Sequence, residues 1–248
     1  MRKTLIIKCG TTLPDLVARR GDFEDWFITA GGYEPDEVLV IDVEQDLPLP
    51  ACTDVAAVIV TGSHTMVTEH QPWSERTARW LSDAVGKLPL LGVCYGHQLL
   101  TYALGGTVED NPSGREMGMV EITPDHAAND DPLLGPLDTP FFAPVSHKQS
   151  VRSLPAGATR LAGSVREPHQ AFRVGKMAWG LQFHPEFDAD ISSSYVDYCH
   201  ADLLAEGQQP QKLKQSCIDS NVGRDILRRF RNLTIEKESK ISGSCIKR

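Results

Sequence analysis

The segment Gly92-Val93-Cys94-Tyr95-Gly96-His97-Gln98 restricts the fold more than any other part of the chain. An apolar run, Leu88 to Val93, leads into it. A helix-like run, His97 to Leu104, leads out and is closed by Gly105-Gly106. A cysteine therefore sits where a strand turns sharply into a helix. Glycines two positions before and after it leave room where a Cβ would crowd the turn. The turn lifts the sulfur off the backbone. The helix that begins there aims free N–H groups and its positive end at the sulfur. Both favour the thiolate, which is the nucleophilic form.

The flanking pattern agrees with such a corner. Strands are expected at Thr4–Lys8, Val38–Asp42, Val55–Val60 and Leu88–Val93. Helices are expected from Pro14 to Ala30, with a break at Gly21, and from Pro72 to Val85. Strand–helix alternation predicts an α/β fold with an open, mostly parallel sheet and helices on both faces. Active sites of such sheets lie beyond the C-terminal strand ends, where Gly62 and Cys94 both fall. After Gly106 short strands are expected at Thr107–Glu109, Met119–Ile122, Phe141–Ala143, Arg160–Ala162, Ala171–Val174 and Met177–Gln182. They read as antiparallel strands added to the parallel core. Phe187 to Leu204 reads as a helix closing the catalytic domain, residues 1–205.

A nucleophile needs a base. Gly180-Leu181-Gln182-Phe183-His184-Pro185-Glu186 starts as a short strand, and Pro185 keeps His184 extended. Residues two apart on an extended segment share a side, so His184 and Glu186 can act together. Cys94, His184 and Glu186 then form a nucleophile, a base and its orienting carboxylate.

These motifs resemble the class I (triad) glutamine amidotransferases, above all the glutaminase domain of GMP synthase and its stand-alone relatives. Thr61-Gly62-Ser63 is similar to that family's oxyanion loop. Ser146-His147-Lys148-Gln149-Ser150-Val151 is similar to its Ser-His-x-x-x-Val segment, although Lys148-Gln149 replaces the Gly-Asp of many members. The resemblance spans about residues 4 to 190 and implies a flavodoxin-like sheet. It also implies that Gly62 and Tyr95 donate backbone N–H groups to an oxyanion, and that Gln98, Ser146 and His147 hold the glutamyl unit. Residues 114–118 would add a pocket wall. The implied reaction is acyl transfer at a γ-glutamyl carboxamide, with no cofactor and no metal. A small γ-glutamyl compound would be the substrate, and a separate synthetase subunit would be the partner, since the stretch after Glu186 is too short for a synthetase domain.

Other histidines read differently. His97 is expected to pack against the sheet, and His64, His70, His126, His169 and His200 to lie in loops or at the surface. Cys9 reads as structural, and Trp73, Trp80 and Trp179 as core or pocket edge. The six cysteines form no Cys-x-x-Cys pair, so neither a zinc knuckle nor a disulfide framework is indicated. The reducing cytoplasm is the simplest location. Neither a signal peptide nor a membrane span is expected.

A net charge of −8 argues against nucleic acid. The charge is uneven: residues 206–248 carry ten Lys/Arg and five Asp/Glu on an otherwise acidic chain. In this appendage Val222, Ile226, Phe230 and Leu233 recur at helical spacing, with arginines elsewhere on the wheel. Docking on the acidic body, a lid or a protein-binding arm would each use that face. Residues after about 236 are expected to be disordered.

Three functions fit these residues. The first is a glutaminase feeding a separate synthetase. The second is a free-standing γ-glutamyl peptidase acting on glutathione-like or γ-glutamyl-amine substrates. The third is a non-catalytic binding protein, against which the intact Cys94, His184 and Glu186 count.

Overall fold

The computed structural model describes residues 2–245. Strands β1 (Lys3–Lys8), β2 (Val38–Asp42), β3 (Val55–Val60) and β4 (Leu90–Val93) alternate with α1 (Pro14–Arg20), α2 (Phe23–Gly31) and α3 (Pro72–Ala84). Helix α4 (Tyr95–Ala103) follows β4 directly. Next come β5 (Thr107–Asp110), β6 (Glu116–Pro124), β7 (Phe141–His147), β8 (Gln149–Ser153), β9 (Ala158–Gly163), β10 (Ala171–Val174) and β11 (Ala178–Leu181). Helices α5 (Ala189–Tyr198), α6 (His200–Ala205), α7 (Pro210–Ser216) and α8 (Val222–Cys245) complete the described part.

The main sheet has nine strands in the order β2-β1-β3-β4-β11-β10-β9-β6-β7. The first five run parallel, and the remaining four extend the sheet in antiparallel fashion. Strand β11 corrects the sequence expectation. The sequence groups its run with the added antiparallel strands, yet it pairs in parallel with β4, Leu181 opposite Val93. Nothing in four apolar residues reveals which neighbour they will meet. The strands β5 and β8 form a separate two-stranded sheet, and neither β8 nor α7 was expected.

Helices cover both faces because the central strands are apolar at every position. Along β3 all six residues are buried. Alternate side chains serve opposite layers: Val58 and Val60 join Leu81, Leu99 and Leu100 of α3 and α4, while Ala57 and Ile59 join Phe27 of α2. The interruption of the first helical region at Gly21 is present, with a capping box at Asp22 and Asp25 starting α2 afresh.

Helix α8 settles the reading of the basic tail. Ile226, Leu227 and Phe230 are fully buried in the layer that holds Phe27 and Trp179. Phe230 meets the Trp179 ring edge-on at 6.2 Å. Arg231 makes a forked hydrogen bond to both carboxylate oxygens of Glu37 at 2.8 and 2.9 Å. The tail thus docks on its own acidic body through an apolar face rimmed by ion pairs. The helix continues to Cys245. Residues 246–248 lie outside the described residues.

Because Phe230 is enclosed, Phe230→Ala should cost about 3 kcal/mol of stability. Urea unfolding measures it. A loss under about 1 kcal/mol would mean that α8 lies on the core without being part of it.

Candidate active site

The site forms where three adjacent parallel strands end. Gly62 lies just beyond β3, Cys94 just beyond β4, and His184 just beyond β11. The parallel pairing of β4 with β11 closes the long sequence gap between cysteine and histidine. It ends on a hydrogen bond from the Cys94 backbone N–H to the Leu181 carbonyl at 2.8 Å.

Cys94 is the residue before the first turn of α4, with φ 50° and ψ −101°. An L-residue rarely adopts that conformation, which costs on the order of 1–3 kcal/mol. Surrounding contacts enforce it. A Cβ on Gly92 would stand 2.6 Å from the Gly96 carbonyl carbon, and one on Gly96 would stand 2.5 Å from the Val60 oxygen. Helix, turn and sheet therefore pack without a side chain between them. The Tyr95 N–H, at the first helical position, has no acceptor within its helix.

His184 Nδ1 donates to Glu186 Oε1 at 2.7 Å, and both residues are buried. The Phe187 ring stacks on the imidazole at 3.9 Å between centroids. Burial alone pushes the His184 pKa down. The charge of Glu186, then the charge of Cys94 and a hydrogen bond with its sulfur, outweigh burial and raise it to about 10. His97 shows the opposite balance. It is fully buried against Phe172, and burial lowers its pKa to about 3. The histidine adjacent to the corner is thus held neutral, and the distant one is held charged.

The other expected residues fall into two groups. Gly62 lies close to both Cys94 and His184: a Cβ there would be 3.2 Å from His184 Cε1 and 3.9 Å from Cys94 Cβ. The Ser146 carbonyl faces Cys94 Sγ at 3.7 Å. Gln98 and His147 are tied into buried polar contacts. Gln98 Nε2 donates to Gln149 O and Gln182 Oε1, while His147 bonds to Gln149 O at 2.8 Å and Glu116 Oε2 at 2.9 Å. Glu116 also accepts from Gln170 and Ser164. Both Gln98 and His147 still line the cavity, but their amide and ring nitrogens mainly brace the loop 146–149.

That cavity, of about 240 Å³, opens above Cys94. Arg115, His64, Tyr195 and Tyr198 form much of its wall. Arg115 belongs to the stretch expected as a wall, and it bonds to Asp202 of α6 at 3.0 Å. His64 does lie in a loop with an exposed edge, but it stacks on Tyr198 and meets Tyr195 Oη at 3.1 Å. Sequence reasoning missed the two tyrosines and Phe187. Phe187 directly follows the His-Pro-Glu run and could have been suspected; the tyrosines carry no local signal. Among the described residues no group of three His, Cys, Asp or Glu side chains is placed to hold a metal ion.

Comparison with known proteins gives the class of domain that carries this cysteine corner and His–Glu pair at the ends of adjacent parallel strands. Residues 36–196 match the family model of the class I glutamine amidotransferases. The chain belongs to that family. It is 32% identical over 205 residues to GMP synthase (glutamine-hydrolyzing) of Porphyromonas gingivalis, covering 80% of this chain and 37% of that protein. A Thermosipho africanus GMP synthase is 35% identical over 134 residues, 53% of this chain and 24% of the relative. The chain thus spans between about a quarter and little more than a third of these two GMP synthases. A glutamine amidotransferase structure from Thermotoga maritima superposes with a TM-score of 0.74 over 95% of this chain and 99% of that one, at 20% identity. A second, from Methylobacillus flagellatus, gives 0.70 over 94% and 95%, at 22% identity. Both show the same fold. No helix among the described residues is long and apolar enough to cross a membrane.

Two measurements test the site as built. Cys94→Gly should unfold about 1 kcal/mol later than Cys94→Ala, because glycine adopts the corner conformation without strain; equal stability would mean that the corner is relaxed. A folded-state histidine pKa above the unfolded value near 6.5 adds stability below that pH and loses it as pH rises towards 10. The urea midpoint of the wild type should therefore fall across pH 6.5 to 10 more steeply than that of Glu186→Gln.

Proposed function

We propose that this chain hydrolyses a γ-glutamyl amide, glutamine by default, through a covalent γ-glutamyl thioester on Cys94. The observation that carries this reading is the strained Cys94 beside a histidine whose positive charge is supported by Glu186. A binding protein on the same fold has no use for a strained thiol next to a charged imidazole.

The geometry supports the following steps. The Cys94 thiolate attacks the γ-carbonyl carbon, and the oxygen takes up the displaced electron pair. Backbone N–H groups of Gly62 and Tyr95 receive that oxyanion, each contributing on the order of 3 kcal/mol. Glycine at position 62 admits the substrate beside His184 without a side chain in the way. The protonated His184 gives its Nε2 proton to the departing nitrogen, and ammonia or an amine leaves. Neutral His184 then takes a proton from water, which attacks the thioester and releases a γ-carboxylate and the thiolate. Glu186 holds the Nδ1 proton throughout and fixes the ring's tautomer. Gln98 and the Ser146 backbone position the glutamyl unit, with His147 bracing that loop. A synthetase taking up the ammonia would be the partner, and the reducing cytoplasm the compartment that keeps Cys94 a free thiol.

Release of ammonia or amine from glutamine, glutathione and a γ-glutamyl amine tests this. Cys94→Ala should lose roughly 10⁴-fold or more of turnover while keeping its unfolding midpoint. Retained turnover in that variant removes the mechanism. Preference for glutathione or the γ-glutamyl amine over glutamine would identify a self-sufficient peptidase.

A further inference from the structure

Glu186 is tethered at one oxygen only. Oε1 accepts from His184, while Oε2 is buried and has no hydrogen-bond partner among the described residues. The aim of this carboxylate therefore depends on the backbone that carries it. The His184 N–H is anchored on the Pro144 carbonyl at 2.8 Å, and two further contacts to this backbone come from the start of α8 and the segment before it. Gly223, in the first turn of α8, lies so close that a Cβ on it would overlap the Pro185 carbonyl oxygen and stand 2.7 Å from its carbon. Asp219 Oδ1 accepts from the Ala189 N–H at 3.0 Å. Residues 219–223 thus grip the loop 185–189 at both ends. The helix behind them is immobilised by Ile226, Leu227 and Phe230, and Arg229 donates to the Leu133 carbonyl at 2.9 Å. The gripping side, residues 219–230, lies beyond residues 36–196, the span that matches the family model.

We infer that the start of α8 is a positioning element for the reaction: Gly223 and Asp219 set the Pro185 backbone, which aims Glu186 at His184. The inference rests on the roles assigned to His184 and Glu186 under the proposed function. A rigid clamp on the backbone substitutes for the missing second hydrogen bond to the carboxylate. Supporting groups of this kind typically alter activity by about 10–100-fold when disturbed. Adding a methyl group at Gly223 must push either α8 or Pro185 away. Either shift lengthens the Glu186–His184 contact and weakens the main charge that holds the imidazole protonated.

The test uses the full chain and two readouts. The first is the His184 Cε1–H titration by NMR, which needs no turnover. The second is the pH profile of kcat/KM on whichever γ-glutamyl amide is cleaved. In Gly223→Ala, His184 should titrate at least about one pH unit lower than in the wild type. The alkaline limb of kcat/KM should move down with it, kcat should fall about tenfold, and KM should stay within about twofold. Asp219→Ala, at an exposed position, should show a smaller shift in the same direction, and it carries the test if Gly223→Ala fails to fold. An unchanged His184 titration in a folded variant overturns the inference. A shifted titration in a protein that cleaves no γ-glutamyl amide upholds the positioning role and refutes the proposed reaction instead.

Discussion

The parallel pairing of β11 with β4 is the interaction on which the rest of this molecule depends. β4 delivers the sulfur and β11 delivers the imidazole. Their shared register sets the two side by side, with the Cys94 N–H already bonded to the Leu181 carbonyl. Between the two strands in sequence lie the antiparallel extension and the small second sheet. Those elements carry the chain out along the sheet and back. The return strand has to sit in the middle of the sheet, where both faces are covered. Its four residues are accordingly all buried.

The site then uses burial in two directions. For His97 there is no compensating charge, and the ring stays neutral as a packing group against Phe172. For His184 the same loss of water is outweighed by its interactions with Glu186 and Cys94. Burial strengthens those interactions because little water remains to screen them. Strain at Cys94 is tolerated for a related reason. The corner is enclosed by β3, β4 and α4 so closely that no relaxed alternative leaves room for the backbone. The buried polar contacts of Glu116, His147, Gln149 and Gln98 hold the facing loop, so the cavity has two rigid walls.

The basic segment after residue 206 fits the same logic. Its Arg231 pairs with Glu37 of the acidic body, and its apolar stripe completes a layer that would otherwise leave Trp179 uncovered. It also reaches the loop that carries Glu186. A segment that looks like an addition in composition shares both the core and the immediate support of the site.

The sequence by itself determined the family motifs and most of the elements. Gly92 to Gln98 encode a strand-to-helix corner locally, because the glycines, the apolar run and the helix lie within about a dozen residues. His184-Pro185-Glu186 is legible for the same reason: extended geometry alone aligns two side chains two positions apart. The strands β1 to β4 are apolar runs whose boundaries follow from composition. Tertiary structure alone decided what depends on distant neighbours. The parallel partner of β11, the tyrosine and Arg115 wall of the cavity, and the protonation of His184 against His97 are of this kind. So is the contact of Gly223 with Pro185. In each case the residue type is compatible with several surroundings, and the energy that selects one comes from groups many positions away in the chain.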